Sequence, residues 1–270
     1  MSGAVCGGFE LAVLGSAGWV PQPEAGRMTT SLAVRAADTL FLFDAGVGLA
    51  RLAEPRFHRL LDGAVPVHLY LSHLHLDHTV GLTFLPALWQ ENPLTLHVPG
   101  EAITGYPAAT VLDGLVGPPF FPHRLSEFPL AVRVEAVLPG EHEVAGVRMA
   151  VRAQRHPGGS LAYRLGDAFA FLTDTPYDVG SAAFAAGVST LVHEAWTRGE
   201  GDPEWQRAGL SAHTSAEDAA TVARDAGVGE LLLSHLTPLG DTQYHLEMLA
   251  RARAVFPRTF LCEDGLTRLL

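Results

Sequence analysis

The sequence predicts an α/β fold in which helices cover β-sheet structure, and three observations carry that expectation. Apolar runs of strand length, rich in Val, Leu and Phe and bounded by turn residues, recur in both halves of the 270 residues. Segments with helical periodicity interleave with them. Several runs are apolar at consecutive positions, the pattern of strands buried on both faces by covering helices.

In chain order, strands are expected at 9–14, 31–35, 39–43, 67–71 and 94–98, then at 132–137, 147–153, 161–165, 168–172, 190–193, 231–234 and 259–261. A helix is expected over 48–61, where leucines at 49, 52, 60 and 61 follow a roughly helical period, and another over 80–89. The helix over 214–226 opens on Thr214-Ser215-Ala216-Glu217-Asp218, which offers two overlapping capping boxes, and stops at Gly227. A helix over 243–255 is stopped by Pro257. Residues 99–131, rich in Pro and Gly and ending in Gly117-Pro118-Pro119-Phe120-Phe121-Pro122, read as a helix plus a long irregular loop that rims a substrate site. No linker, charge run or repeat divides the chain, so one domain over 1–270 is expected.

Composition narrows the class of partner. The longest apolar stretches fall well short of the ~20 residues of a membrane span. No basic region precedes the first apolar segment, and Glu10 interrupts it, which argues against a signal peptide. Two cysteines, Cys6 and Cys262, fit free thiols in a reducing cytoplasm. The net charge is −11 and all 18 basic residues are arginine. Nucleic-acid binders neutralise phosphates with clustered Lys and Arg, and no such cluster is visible.

The chemistry concentrates in Ser72-His73-Leu74-His75-Leu76-Asp77-His78, directly after the apolar run 67–71. In an extended segment residues i and i+2 face one side, so His73 and His75 can hold one ion together. Asp77 and His78 lie where the chain turns and can face a second ion a few ångströms away, as in dinuclear hydrolytic sites. Imidazole with carboxylate suits zinc, with manganese or iron as alternatives.

This segment resembles the metallo-β-lactamase superfamily, and the rest of the chain keeps the pattern in order. Leu14-Gly15-Ser16-Ala17-Gly18 and Leu42-Phe43-Asp44-Ala45-Gly46 are similar to that family's early strand–loop elements. His156 in Arg155-His156-Pro157-Gly158-Gly159 is similar to its third histidine, Asp174 in Leu172-Thr173-Asp174-Thr175 to its bridging aspartate, and His235 in Leu233-Ser234-His235 to its last histidine. The resemblance implies a four-layer αββα sandwich of two mixed sheets flanked by helices. It implies two divalent ions per chain, one on His73, His75 and His156 and one on Asp77, His78 and His235, bridged by Asp174.

A narrower resemblance points to the ribonuclease Z and phosphodiesterase branch. His193-Glu194-Ala195 and Ser211-Ala212-His213-Thr214-Ser215 are similar to its paired Glu and His segments, with Trp196 in place of a threonine and Ala212 in place of a glycine. Glu194 would orient His213, which would protonate a leaving group, while Asp77 orients the attacking water. Ribonuclease Z proteins carry a basic tRNA-gripping arm between the third histidine and the bridging aspartate. Here only residues 157–173 lie between, and they are filled by an expected hairpin, so tRNA is not the expected substrate. The expected function is a dinuclear metal-dependent hydrolase, a phosphodiesterase acting on small, including cyclic, phosphodiesters through a metal-bridging hydroxide. A lactone, thioester or sulfate-ester hydrolase is the alternative on the same site; a non-hydrolytic accessory protein ranks below both. The partner is a small-molecule substrate, not a membrane; self-association as a homodimer is left open. Histidines 58, 68, 97, 123, 142 and 245 receive no role.

Overall fold

Residues 39–43, 94–99, 169–172, 190–194 and 230–234 are buried at every position. A strand with no solvent-facing side must lie between two apolar layers, and the architecture follows from that requirement. The computed structural model describes residues 8–63, 65–88, 92–203 and 213–270.

The first sheet holds β1 (Phe9–Gly15), β2 (Ser31–Ala36), β3 (Thr39–Phe43), β4 (Val67–Tyr70), β5 (Leu94–Pro99), β6 (Val132–Val137) and β14 (Thr267–Leu269), in the order β14-β1-β2-β3-β4-β5-β6. The second holds β7 (Gly140–Val144), β8 (Val147–Gln154), β9 (Ser160–Leu165), β10 (Phe169–Leu172), β11 (Thr190–Glu194), β12 (Glu230–Ser234) and β13 (Thr259–Leu261), in the order β13-β12-β11-β10-β9-β8-β7. Each sheet is antiparallel over one half, β14 to β3 and β7 to β10. Each is parallel over the other, β3 to β6 and β10 to β13.

Three apolar layers hold the assembly. Between the sheets, Phe43 packs its ring 5.2 Å from that of Phe169 and 5.7 Å from that of Tyr163, within a core that also contains Phe41, Tyr70 and Phe171. On the outer face of the first sheet, Leu42, Leu69 and Leu96 meet Leu49, Leu52 and Phe57. On the outer face of the second, Leu191, Leu231 and Leu233 meet Ala219, Ala220, Ala223 and Met248 of the helices Ala216–Ala226 and Thr242–Val255. This is the expected four-layer αββα sandwich.

Local departures have local causes. The helix expected over 48–61 is two 3-10 segments, Val47–Ala53 and Pro55–Leu60, because Glu54 before the proline is extended (ψ 135°). The helix expected over 80–89 is a 3-10 segment, Val80–Phe84, followed by the single α-turn Leu85–Leu88; position 89 lies outside the described residues. Two strands have no apolar signature. β7 is Gly-Glu-His-Glu-Val and almost wholly exposed, and β14 is three residues at a sheet edge. Ser215 caps the helix Ala216–Ala226 by accepting from the Asp218 N–H, and Gly227 closes it in the left-handed conformation. Residues 99–131 contain the short helices Glu101–Thr104 and Ala108–Leu115 and then irregular chain with one 3-10 turn. Cys262 is a buried free thiol; Cys6 lies outside the described residues.

Candidate metal centre

In open parallel sheets the carboxyl ends of the strands are where ligand-binding side chains collect. Asp44 follows β3, the segment 72–78 follows β4, Asp174 follows β10, Glu194 ends β11 and His235 follows β12. His156 comes from the β8–β9 connection. After β4 the chain runs extended to His75 and then enters the 3-10 turn Leu76–His78, which swings Asp77 and His78 round beside His73. The His73 ring centroid lies 4.5 Å from that of His75 and 4.2 Å from that of His78.

The seven expected ligands come together in two groups. His73, His75, His156 and Asp174 offer one set of donor atoms, and Asp77, His78 and His235 the other. Asp174 spans them. Its Oδ1 lies 3.8 Å from His73 Nε2 and 3.7 Å from His156 Nε2, whereas Oδ2 lies 3.3 Å from His78 Nε2 and 3.4 Å from His235 Nε2. Asp77 Oδ2 lies 3.2 Å from His78 Nε2 and 3.4 Å from His235 Nε2.

Two observations show that these residues fit divalent cations. Four donors placed tetrahedrally about 2.1 Å from zinc are about 3.4 Å from one another, which is the spacing around the second group. His73 Nε2, His78 Nε2 and both ring nitrogens of His235 are buried without a hydrogen-bond partner. Such orphaned groups are costly unless a ligand satisfies them.

The surrounding hydrogen bonds fix which ring nitrogens face inward. Asp44 Oδ1 accepts from the Ser72 N–H (2.6 Å), and Oδ2 from the Ser72 hydroxyl (2.8 Å) and His78 Nδ1–H (2.7 Å). With its proton committed to Asp44, the Ser72 oxygen can only accept from His73 Nδ1–H, 3.0 Å away. Both rings therefore present Nε2 lone pairs to the centre. Sequence reading gives Asp44 no role; the available signal is an Asp-Ala-Gly immediately after a fully apolar strand.

Charge reinforces the arrangement. Burial pushes the Asp174 carboxyl up, but His235, His78, His73 and His213 outweigh it and hold the group well below the usual carboxylate range. Asp77 is likewise held down against burial by His78 and His235. Burial and the adjacent His78 keep His73 neutral, whereas the Asp174, Asp44 and Asp77 carboxylates overcome burial and raise His78, so that His78 Nε2 meets concentrated negative charge that a bound cation would answer in place of a proton. Two carboxylates, Asp77 and Asp174, facing the Nε2 atoms of the His78 and His235 rings favour a cation between them. Backbone strain collects here as well: Asp44, Asp174 and His235 all have left-handed φ (61°, 47° and 50°).

Beside this cluster stands the expected pair. Glu194 is fully buried; its Oε1 accepts from the Thr175 N–H and its Oε2 from His213 Nδ1–H at 2.7 Å. His213 Nδ1 is also 3.9 Å from Asp174 Oδ1. Burial disfavours the charged ring, yet the Glu194 charge and hydrogen bond prevail and raise His213 to about 9. Trp196 stacks on the His213 ring at 4.5 Å and 13°. Gly18 is required opposite it, since a Cβ there would meet His235 at 2.7 Å and Trp196 at 2.8 Å. Residues Ser211 and Ala212 lie outside the described residues. Of the unassigned histidines, His68 and His97 pair with each other and His123 lies near Glu127; none joins a ligand group among the described residues.

Comparison with known proteins agrees with this geometry. The family model described as the beta-lactamase superfamily domain matches residues 39–236. A curated ribonuclease Z from Mycobacterium sp. (strain KMS) is 30% identical over 283 residues, covering 97% of this chain and 95% of the relative. The crystal structure of the metallo-beta-lactamase fold protein YhfI from Bacillus subtilis superposes with a TM-score of 0.77 at 21% identity, covering 97% of this chain and 99% of the other. A diphosphatase of the PhnP family superposes with a TM-score of 0.68 at 18% identity, covering 97% and 98%.

Proposed function

From the premise that the chain belongs to the metallo-β-lactamase superfamily, in its ribonuclease Z-like branch, we propose that it is a dinuclear phosphodiesterase acting on small phosphodiesters. The observation that carries the reading is a carboxylate-held imidazole, His213 on Glu194, set directly beside two groups of metal-competent side chains. Zinc suits the imidazole-rich donor set best, with manganese and iron as alternatives. The first ion would be held by His73, His75 and His156, the second by Asp77, His78 and His235, with Asp174 between them. When bound, the cations would supply charge stabilisation at the phosphoryl oxygens and a water acidified toward neutral pH.

The chain's own residues do the rest. Asp44 and Ser72 keep the His73 and His78 rings turned so that Nε2 faces the centre. Asp77, whose Oδ2 accepts from the Trp19 N–H, orients the attacking water with its carboxylate. His213 keeps its Nδ1 proton on Glu194, so Nε2 is the nitrogen that delivers a proton to the departing oxygen. An alkoxide needs that proton, which is why the pair favours a phosphodiester over an ester whose leaving group departs unaided. A relative named ribonuclease Z raises the tRNA reading, but β9 and β10 are joined here by the tight turn 166–168, and the chain carries a net charge of −11. Both features favour small substrates.

The test is reconstitution with zinc or manganese, followed by elemental analysis and a substrate panel of bis(p-nitrophenyl) phosphate, a 2′,3′-cyclic phosphate, a lactone, a thioester and precursor tRNA. Two ions per chain and preferential diester hydrolysis are expected. Asp174→Ala should lose at least one ion and nearly all turnover, with the melting midpoint falling no further than metal linkage allows. One ion or fewer in the parent protein, near-normal turnover in Asp174→Ala, or a preference for tRNA or the carbonyl substrates would overturn the proposal.

A further inference from the structure

Residues Leu76 and Phe120 are 67% and 82% exposed, although both are large and apolar. They face one groove of about 460 Å³. Its near wall is Leu76, on the 3-10 turn that carries Asp77 and His78, with Thr79 and Val80 directly after that turn, and its far wall is Leu115 with Phe120. The groove therefore begins one residue from two candidate metal ligands. Its side-chain donors are already committed: the Thr79 hydroxyl donates to the His75 carbonyl (2.9 Å) and the Thr83 hydroxyl to the Val80 carbonyl (2.7 Å). A nucleobase or sugar entering it would strip its own polar edges of water and find no free side-chain donor, only the remaining lone pairs of two threonine hydroxyls, so it would lose more on desolvation than an apolar group of the same size. An uncharged apolar group would lose nothing and would cover the exposed rings. The volume lies in the range of small-molecule sites.

We propose that this groove is the subsite for the non-leaving ester group of the substrate, and that the physiological diester carries an aryl or branched alkyl group there rather than a nucleoside. The proposal rests on the phosphodiesterase reading for its chemistry, but not for its binding. Residues Leu76, Val80, Leu115 and Phe120 are then specificity-determining.

The experiment compares methyl p-nitrophenyl phosphate with phenyl p-nitrophenyl phosphate on the zinc-reconstituted protein, so that the leaving group is constant. Burying a phenyl ring corresponds to about a tenfold to hundredfold gain in affinity, and KM for the phenyl ester should be lower by about that factor. Phe120→Ala removes the far wall. Gly114→Phe fills the groove from the helix Ala108–Leu115, at a position where an added Cβ meets nothing within 4 Å. Each should raise KM for the phenyl ester by at least about tenfold while leaving kcat and both constants for the methyl ester unchanged. Calorimetric binding of phenylphosphonate against methylphosphonate gives a readout independent of turnover. A phenyl preference in binding, abolished by Gly114→Phe, supports the groove even if neither ester is hydrolysed, in which case only the hydrolase reading falls. Equal KM and equal binding in the parent protein would overturn the subsite, and so would equal losses on both esters in Gly114→Phe. A dimer that Phe120→Ala converts to monomer, with the ester ratio unchanged, would assign the groove to a second copy of the chain and likewise overturn it.

Discussion

The His213 ring donates to Glu194 along its edge and lies flat on Trp196, so any rotation breaks two contacts at once. A ring held this way suits directed proton delivery, and its importance should depend on the leaving group. A p-nitrophenolate departs without a proton, whereas a sugar alkoxide does not. General acid catalysis contributes ~10²–10⁴-fold, so His213→Ala should slow a ribose-type diester by about that factor and a p-nitrophenyl diester far less. Glu194→Gln should show the same pattern more mildly, since it weakens the orientation of the ring without removing the proton. Steady-state rates on the two substrates, with metal content checked, decide the matter; equal losses would assign His213 to shaping the pocket. At this scale four of the seven candidate ligands stand out because His-x-His-x-Asp-His is a local pattern, whereas His156, Asp174 and His235, far apart in sequence, rest on the family resemblance. Asp44 was not, because its role exists only once β3 and β4 pair in parallel and bring it against Ser72 and His78.

Elements repeat in a way that no stretch of sequence reveals. Each sheet passes from antiparallel to parallel at its fourth strand, β3 in one and β10 in the other. A buried aspartate with left-handed φ follows each of these strands: Asp44 supports the rings and Asp174 sits between the ligand groups. The two sheets share the antiparallel-then-parallel order, although the outermost antiparallel strand is β7 in one and β14, from the far end of the sequence, in the other. Helix signals were read correctly where capping chemistry was explicit. Over 48–61 the leucine spacing outweighed Pro55, which ends regular structure at Glu54, and β7 and β14 escaped because edge strands need no buried face. The cap at Ser215 carries its own expectation, because it lies two residues beyond His213. Ser215→Ala should cost about 1 kcal/mol in urea unfolding, and Ser215→Thr should recover most of it. A variant as stable as the parent would mean the Asp218 N–H finds another acceptor.

For the molecule as a whole, acid should be more damaging than alkali because several histidines are buried neutral. His97 is the clearest case away from the centre. Burial lowers it to about 3, assisted by His68 and Arg133, and Glu135 at 3.6 Å does not reverse this. In the unfolded chain it titrates near 6.5. Because the folded value is depressed, the unfolded state takes up the proton first. Stability is therefore complete above about pH 6.5 and declines as pH falls toward 3, by at most ~1.4 kcal/mol per pH unit for this one proton. His97→Phe keeps the face-to-face stack on Tyr70, at 4.0 Å and 2°, and removes the titration. Urea unfolding between pH 7 and 5 should show a shallower slope in that variant, and an identical slope would show that His97 takes up its proton alike in the folded and unfolded states.

The pairing of β14 with β1, which joins Leu269 to Glu10, also orders events in time. Asp264, just ahead of β14, accepts from the Ser16 hydroxyl and the Met28 N–H, and so anchors both ends of the loop that brings Gly18 against His235. The first sheet thus waits for the last strand, and the second ligand group waits for His235. At 5–20 residues per second, Leu269 is made roughly 10–50 s after Glu10. Until then the nascent chain carries His73, His75, Asp77 and His78 with no opposite wall. A cation captured early would sit on a half-built shell open to water, and only the arrival of His235 can close the second group around it.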